Sequence, residues 1–226
     1  YTYTLKDNQE HKLTFRLTNQ SGVVIEKTFN IIPNENDLTN QLADPNCKNL
    51  DLWTTNVDGF QKMSTAINGF SSAFIERFRP AEEDGVTCWG QEPFKISQTI
   101  EGLTPGKYEL GAMMIATQQG KVGVAAKEHV KDVYLYADGV NTPIATIDNT
   151  PEFFSVMLYV GEDGKFTFGA KNLSDQNYGN SANGANWFAM DNYTLMALGT
   201  DSLEKDLARM RQEVEAITET SVTAAM

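Results

Sequence analysis

The feature that most constrains this chain is a series of short segments with apolar residues at every second position, each closed by turn residues, with no amphipathic helix between them. Phe94 to Ile100, Tyr108 to Ala116, Val133 to Ala137, Ile144 to Ile147, Phe153 to Val160, Phe166 to Ala170 and Trp187 to Leu198 all read this way, and Ala73 to Phe78 is similarly rich in aromatic and β-branched residues. Side chains alternate across a strand, so a period of two buries one face against a neighbouring layer. A parallel sheet needs helical crossovers, and without them the expectation is two packed antiparallel sheets. Turns are expected at Asp138-Gly139, at Glu162-Asp163-Gly164-Lys165, and at Leu103-Thr104-Pro105-Gly106-Lys107, where Pro105 fixes one φ and Gly106 supplies a positive one.

The two ends of the chain follow other rules. Tyr1, Tyr3 and Leu5, then Leu13, Phe15 and Leu17, then Val24 to Ile32 after Asn19-Gln20-Ser21-Gly22 read as antiparallel strands joined by short turns. Three strands with nothing to cover them make a poor independent unit. Residues 1–32 are therefore expected to close a preceding immunoglobulin-like β-sandwich, the alternative being strands added to the sandwich on their C-terminal side. A polar stretch opening with Pro33 gives a linker over 33–37, and residues 38–199 form the main sandwich. Beyond Gly199, Leu203, Leu207, Met210, Val214 and Ile217 are spaced four, three, four and three, and Asp201 with Glu204 fits a capping box, so an α-helix is expected within 200–226. Its seam spans about two heptads, too short to be stable alone, so the helix either docks on a protein surface through Leu203 to Ile217 or continues as a stalk.

Composition then removes function classes. Hydrophobic residues are 41% and charged residues 21% of 226, which excludes a disordered or low-complexity chain. Lys plus Arg is 18 against 30 acidic residues, and a net charge of −12 repels a phosphate backbone, which excludes nucleic acid as a partner. The apolar runs, such as Phe153 to Val160, fall far short of the roughly 20 residues of a membrane span. Cys47, Cys88, His11 and His129 have no zinc-ligand spacing. Both cysteines lie beside apolar residues and are read as buried thiols, with a Cys47–Cys88 disulfide as the alternative. No Gly-x-Ser-x-Gly elbow and no nucleophile context for His or Cys occurs.

Four local patterns occur in order between Asp44 and Leu198: Asp44-Pro45-Asn46-Cys47 followed by Leu52-Trp53-Thr54-Thr55; Ala73-Phe74-Ile75-Glu76-Arg77-Phe78; Ile96 through Gly102-Leu103-Thr104-Pro105-Gly106-Lys107-Tyr108; and Asn186-Trp187-Phe188-Ala189-Met190-Asp191-Asn192-Tyr193. Together they resemble a galactose-binding-domain-like β-sandwich module of surface and secreted proteins of gut Bacteroidetes, and more distantly the carbohydrate-binding modules with a jelly-roll fold. The resemblance implies an all-β jelly roll, an extracytoplasmic location, and a non-catalytic role in binding or adhesion to oligo- or polysaccharide. It also implies a structural calcium, with Asp191 as one ligand. Lys48 stands where such modules often carry the other carboxylate, so Asp44 or Asp51 would have to substitute, and an acceptor for backbone N–H groups is the competing role for Asp191.

Sugar recognition needs exposed flat rings with polar groups around them. Trp53, among Leu50, Leu52 and Val57, is expected in the core, and of Trp187 and Phe188 one is expected buried and the other outward or beneath a loop. Trp89 lies in a turn-rich loop after Glu82-Glu83-Asp84, and Tyr178 lies in the polar stretch 174–185. These two are the expected stacking rings, with Asn183, Asn186 and Glu76 as polar contacts, while Glu76 and Gln98 are alternatively structural partners. An architectural domain that docks through its C-terminal helix is the second reading. A glycan-active enzyme is the third, and would need a second carboxylate facing the first across a cleft.

Overall fold

The computed structural model describes residues 11–18, 24–31, 36–64, 70, 73–79, 89–119, 127, 130–147, 150–173, 179–180, 184–199, 208 and 211–212. Strands β1 (His11–Thr18) and β2 (Val24–Ile31) form an antiparallel hairpin paired from His11↔Ile31 to Thr18↔Val24, and share no ladder with the other described strands. Thr14, Arg16, Val24 and Glu26 are exposed on it, with Arg16 Nε 3.2 Å from a Glu26 carboxylate oxygen across the pair. The expected strand over Tyr1 to Leu5 lies outside the described residues.

The remaining strands are β3 (Thr54–Thr55), β4 (Phe60–Met63), β5 (Phe74–Phe78), β6 (Trp89–Gly90), β7 (Phe94–Ile100), β8 (Gly106–Thr117), β9 (Val133–Ala137), β10 (Val140–Pro143), β11 (Glu152–Val160), β12 (Phe166–Asn172), β13 (Gly179–Asn180) and β14 (Trp187–Gly199). Ten of them build one five-stranded sheet in the order β10-β9-β12-β7-β3 and a second in the order β11-β8-β14-β5-β4, while β6 and β13 pair with each other, every pairing antiparallel. The chain changes sheet from β3 to β4, β5 to β7, β7 to β8, β8 to β9, β10 to β11, β11 to β12 and β12 to β14, the winding expected of a jelly-roll sandwich. The alternation read from the sequence sets the faces. Tyr108, Leu110, Ala112, Met114 and Ala116 of β8 meet Phe94, Ile96 and Ile100 of β7, Leu135 of β9 and Phe166 and Phe168 of β12 between the sheets. Trp53 is core, as expected: its ring lies 5.9 Å from Phe168 and 5.2 Å from Tyr193.

Four details depart from the sequence expectation. The strand expected over Ile144–Ile147 is instead Val140–Pro143. Asp138 and Gly139 both take positive φ, 38° and 87°, so the chain reverses within two residues and pairs at once as Val140↔Ala137. The positive φ expected at Gly106 falls on Gly102 (82°), because Gly106 already belongs to the β8 ladder opposite Val160. The end of the linker runs along β14, with Leu38 N donating to Leu195 O at 2.8 Å and Ala197 N donating to Asn36 O at 2.8 Å. The expected C-terminal helix falls almost wholly outside the described residues: Ala208, Arg211 and Gln212 are helical and exposed, but no α-helix is found among the described elements, and nothing supports a protein contact through it.

Candidate functional site

Ile75 packs between the sheets, so its neighbours Phe74, Glu76 and Phe78 point to the opposite, outer face of the second sheet. There Phe70, Phe74, Ile115, Trp187 and Ala189 make a small second apolar cluster. Glu76 is 6% exposed within this face. Its Oε1 accepts from Gln61 Nε2 at 2.8 Å and its Oε2 accepts from Trp187 Nε1 at 2.7 Å, so both oxygens of a buried carboxylate have donors. The partnership with Gln98 does not form, because Gln98 lies on β7 of the other sheet, at an inward position opposite Phe168.

One step along the same face, Phe78 pairs in register with Trp187, the rings 6.4 Å apart and close to perpendicular at 73°. Phe78 is 41% exposed. It forms one wall of a cleft of about 360 Å³ lined also by Gly59, Arg77, Arg79, Gln91 and Glu92. Arg77 is the fixed part of that cleft. Its Nε donates to Asp58 O at 3.0 Å, its Nη1 donates to Gln91 Oε1 at 3.1 Å, and its Nη2 pairs with the Glu92 carboxylate. The guanidinium carbon lies 6.0 Å from the Phe60 ring centroid and 5.9 Å from that of Phe94. Gln91 is buried and donates to Asn186 O at 2.8 Å, which ties the cleft to the start of β14.

Two short strands within the stretches singled out in the sequence pair with each other next to Gln91 of this cleft. β6 pairs with β13 as Gly179↔Gly90 and Asn180↔Trp89, so the backbone before Gln91 is joined to the backbone after Tyr178. The side chain of Trp89, and Tyr178 and Asn183 altogether, lie outside the described residues. Asn186 is described and is fully buried. Its Oδ1 accepts from Gln119 N at 2.7 Å and its Nδ2 donates to Gln119 O at 2.8 Å, so the amide locks a neighbouring loop and its polar ends face that backbone instead of solvent. Glu76 likewise holds Trp187 under the exposed Phe78 ring. Sequence reasoning misses Phe78, Arg77, Arg79, Gln91 and Glu92; the alternation through Arg77-Phe78-Arg79, at the point where β5 ends, is the available signal.

The calcium expectation concerns another part of the sandwich. Asp44 Oδ1 accepts from Lys48 N at 2.9 Å, and its Oδ2 accepts from Asn49 N at 2.9 Å and Trp53 Nε1 at 3.1 Å. Asp191 is fully buried on β14, just before a bulge at which Tyr193 N donates to Pro45 O at 2.7 Å. No group of three or more His, Cys, Asp or Glu side chains suited to a metal ion occurs among the described residues. A hard cation with six to eight oxygen ligands is poorly served by one carboxylate already facing three N–H donors. Cys47 is a buried free thiol whose pKa is pushed well up by burial and then by Asp191 and Asp44, while Cys88 lies outside the described residues.

No protein-family model and no curated protein matches the sequence. Among solved structures the chain is similar to a CBM61 module in complex with beta-1,4-galactotriose, at 14% identity and TM-score 0.41, covering 70% of this chain and 97% of that one. It is similar to the CBM22-1 xylan-binding domain of Paenibacillus barcinonensis Xyn10C, at 8% identity and TM-score 0.37, over 66% of this chain and 87% of that one. It is also similar to the enzymatically active domain of the bacteriophage CBA120 tailspike protein 4, at 14% identity and TM-score 0.40, over 72% of this chain and 21% of that one.

Proposed function

We propose that the chain is a non-catalytic carbohydrate-binding module of a larger extracytoplasmic protein. The observation that carries this reading is the rim cleft in which a half-exposed ring, Phe78, stands beside Arg77, Arg79, Gln91 and Glu92. A flat ring offers its face to the C–H surface of a sugar, and planar amide, carboxylate and guanidinium groups match pairs of hydroxyls. In this reading Trp89 and Tyr178 stay the candidate stacking rings and Asn183 a candidate polar contact, since in sequence they belong to the stretches that contain β6 and β13. Glu76 and Asn186 act beneath the surface as positioning residues.

Binding is weak in this reading, in the micromolar to millimolar range, because a shallow site leaves much of its ligand wet. Repetition of modules in the parent protein would compensate through avidity. A glycan array followed by calorimetric titration tests the proposal, with galactan and xylan oligosaccharides among the first probes. Saturable binding that is lost in Phe78→Ala and Trp89→Ala supports it. Hydrolysis of any polysaccharide by the pure chain would replace it with an enzymatic role.

A further inference from the structure

The outer face of the first sheet carries a second chemical feature. Val133, Leu135 and Ala137 point into the core, so Tyr134 and Tyr136 point outward. By the same alternation Ile96 and Ala170 point inward, and Lys95, Ser97 and Lys171 point outward. Tyr136 pairs with Gly169, which pairs in turn with Ser97. With no side chain on Gly169, the tyrosine ring lies across the strand with its hydroxyl against Ser97, and it is buried although it belongs to an outer face. Lys95 and Lys171 are directly opposite one another on β7 and β12, and their ammonium groups lie 5.1 Å and 5.0 Å from the centroid of that same ring.

Two like charges placed opposite one another on adjacent strands repel. The ring stabilises both through its negative face without neutralising either. Acidic residues outnumber basic ones 30 to 18 in this chain. Arg16, Arg77 and Lys127 all make ion pairs, whereas Lys95 and Lys171 make none among the described residues. Burial, and then Lys95, lower the Lys171 pKa, and an anion seated between the ammonium groups would relieve the second effect.

We propose that Lys95 and Lys171, held on the flat floor of Tyr136 and Gly169, form a seat for an oxyanion. The ligand group is a uronate carboxylate or a sulfate ester of an acidic glycan, which two ammonium donors bridge by charge-assisted hydrogen bonds. The seat itself is independent of the rim cleft; only the naming of a glycan as the carrier rests on the function proposed above.

Amide-detected NMR titration of the full chain with sodium sulfate, at ionic strength held constant with chloride, tests the seat. Saturable shifts centred on Tyr136, Gly169 and Lys171 are expected, weakened at least tenfold in Lys95→Gln and in Lys171→Gln and retained in Lys165→Gln. Shifts that fail to saturate, or that survive both substitutions, overturn the proposal. A uronate oligosaccharide, its neutral methyl ester and a sulfated oligosaccharide then distinguish the carrier. Binding of either charged ligand that moves the same amides, with none by the ester, supports the glycan assignment and shows which group is taken. A charged glycan that perturbs only residues around Phe78 overturns this second site while leaving the rim cleft intact.

Discussion

Trp187 Nε1 donates to Glu76 Oε2 at 2.7 Å, joining β14 to β5 across the outer face of the second sheet. The two residues stand 111 positions apart in the sequence. Their bond fixes the indole against which the exposed Phe78 ring packs, nearly perpendicular to it.

Removing the carboxylate should therefore act on stability and on the cleft together. Glu76→Ala leaves buried Trp187 Nε1 and the Gln61 amide without their acceptor, which costs about 2–4 kcal/mol. Glu76→Gln keeps the shape and one carbonyl acceptor, and is expected to cost less than half as much. Denaturant unfolding of both variants checks the order; equal stability of Glu76→Ala and wild type would show that the bond is not what holds Trp187.

Gly169 has φ +148°, and a Cβ placed there would lie 2.0 Å from Ile96 O. Gly169→Ala must displace backbone in the middle of a sheet, at a cost on the order of 3 kcal/mol. Gly139→Ala is the comparison: it has φ +87° but nothing within 4 Å of a built Cβ, so it carries only backbone strain of roughly 1–2 kcal/mol. Thermal melts of the two variants should rank them in that order, and a more stable Gly169→Ala would contradict the close approach.

The Tyr136 phenol is pushed up to about 12, chiefly by burial, with Ser97 opposing and Asp138 adding to the rise. An unfolded tyrosine ionises near pH ~10. Below that pH both states hold the proton and this group adds no pH dependence. Between about 10 and 12 the unfolded chain releases its proton while the folded chain keeps it, so stability falls as pH rises through that window. Melting temperatures of wild type and Tyr136→Phe should run parallel to about pH 10, with wild type falling more steeply above it. Parallel curves throughout would show that the phenol ionises alike in both states.

Since Asp44 already faces three N–H donors, removal of calcium by a chelator, and its return, should leave the melting temperature unchanged. A rise on adding Ca²⁺ to chelated protein would instead assign a bound ion that stabilises the fold. Asp44→Ala should destabilise by about 2 kcal/mol in either buffer, through loss of its bonds to the Lys48 and Asn49 N–H groups and to Trp53.

The sandwich is readable because strand alternation is a local pattern that survives in one sequence, and Tyr108 to Ala116 keep it through the whole of β8. Ile144 misleads because an apolar residue can be buried just outside a ladder; only the paired positive φ values of Asp138 and Gly139 place the strand before it. The cleft is harder to see. Glu76 stands out in the sequence, yet its partners Gln61 and Trp187 come from β4 and β14, and no local pattern announces that meeting. Asn186 reads as a ligand contact because polar loops bind ligands, but its amide closes a main-chain loop 67 residues away. Phe78 and Arg77 escape notice because an aromatic residue at a strand end looks like core until Ile75 is known to hold the inner face of β5, which turns Phe78 outward.

The most direct measurement is a calorimetric titration of wild type and Phe78→Ala with a glycan selected on an array, beside melting curves of both proteins. The account predicts a dissociation constant in the micromolar to millimolar range for wild type, at least ten times weaker binding for Phe78→Ala, and closely similar melting temperatures. Undiminished affinity in Phe78→Ala, or no glycan bound by wild type at all, would contradict it.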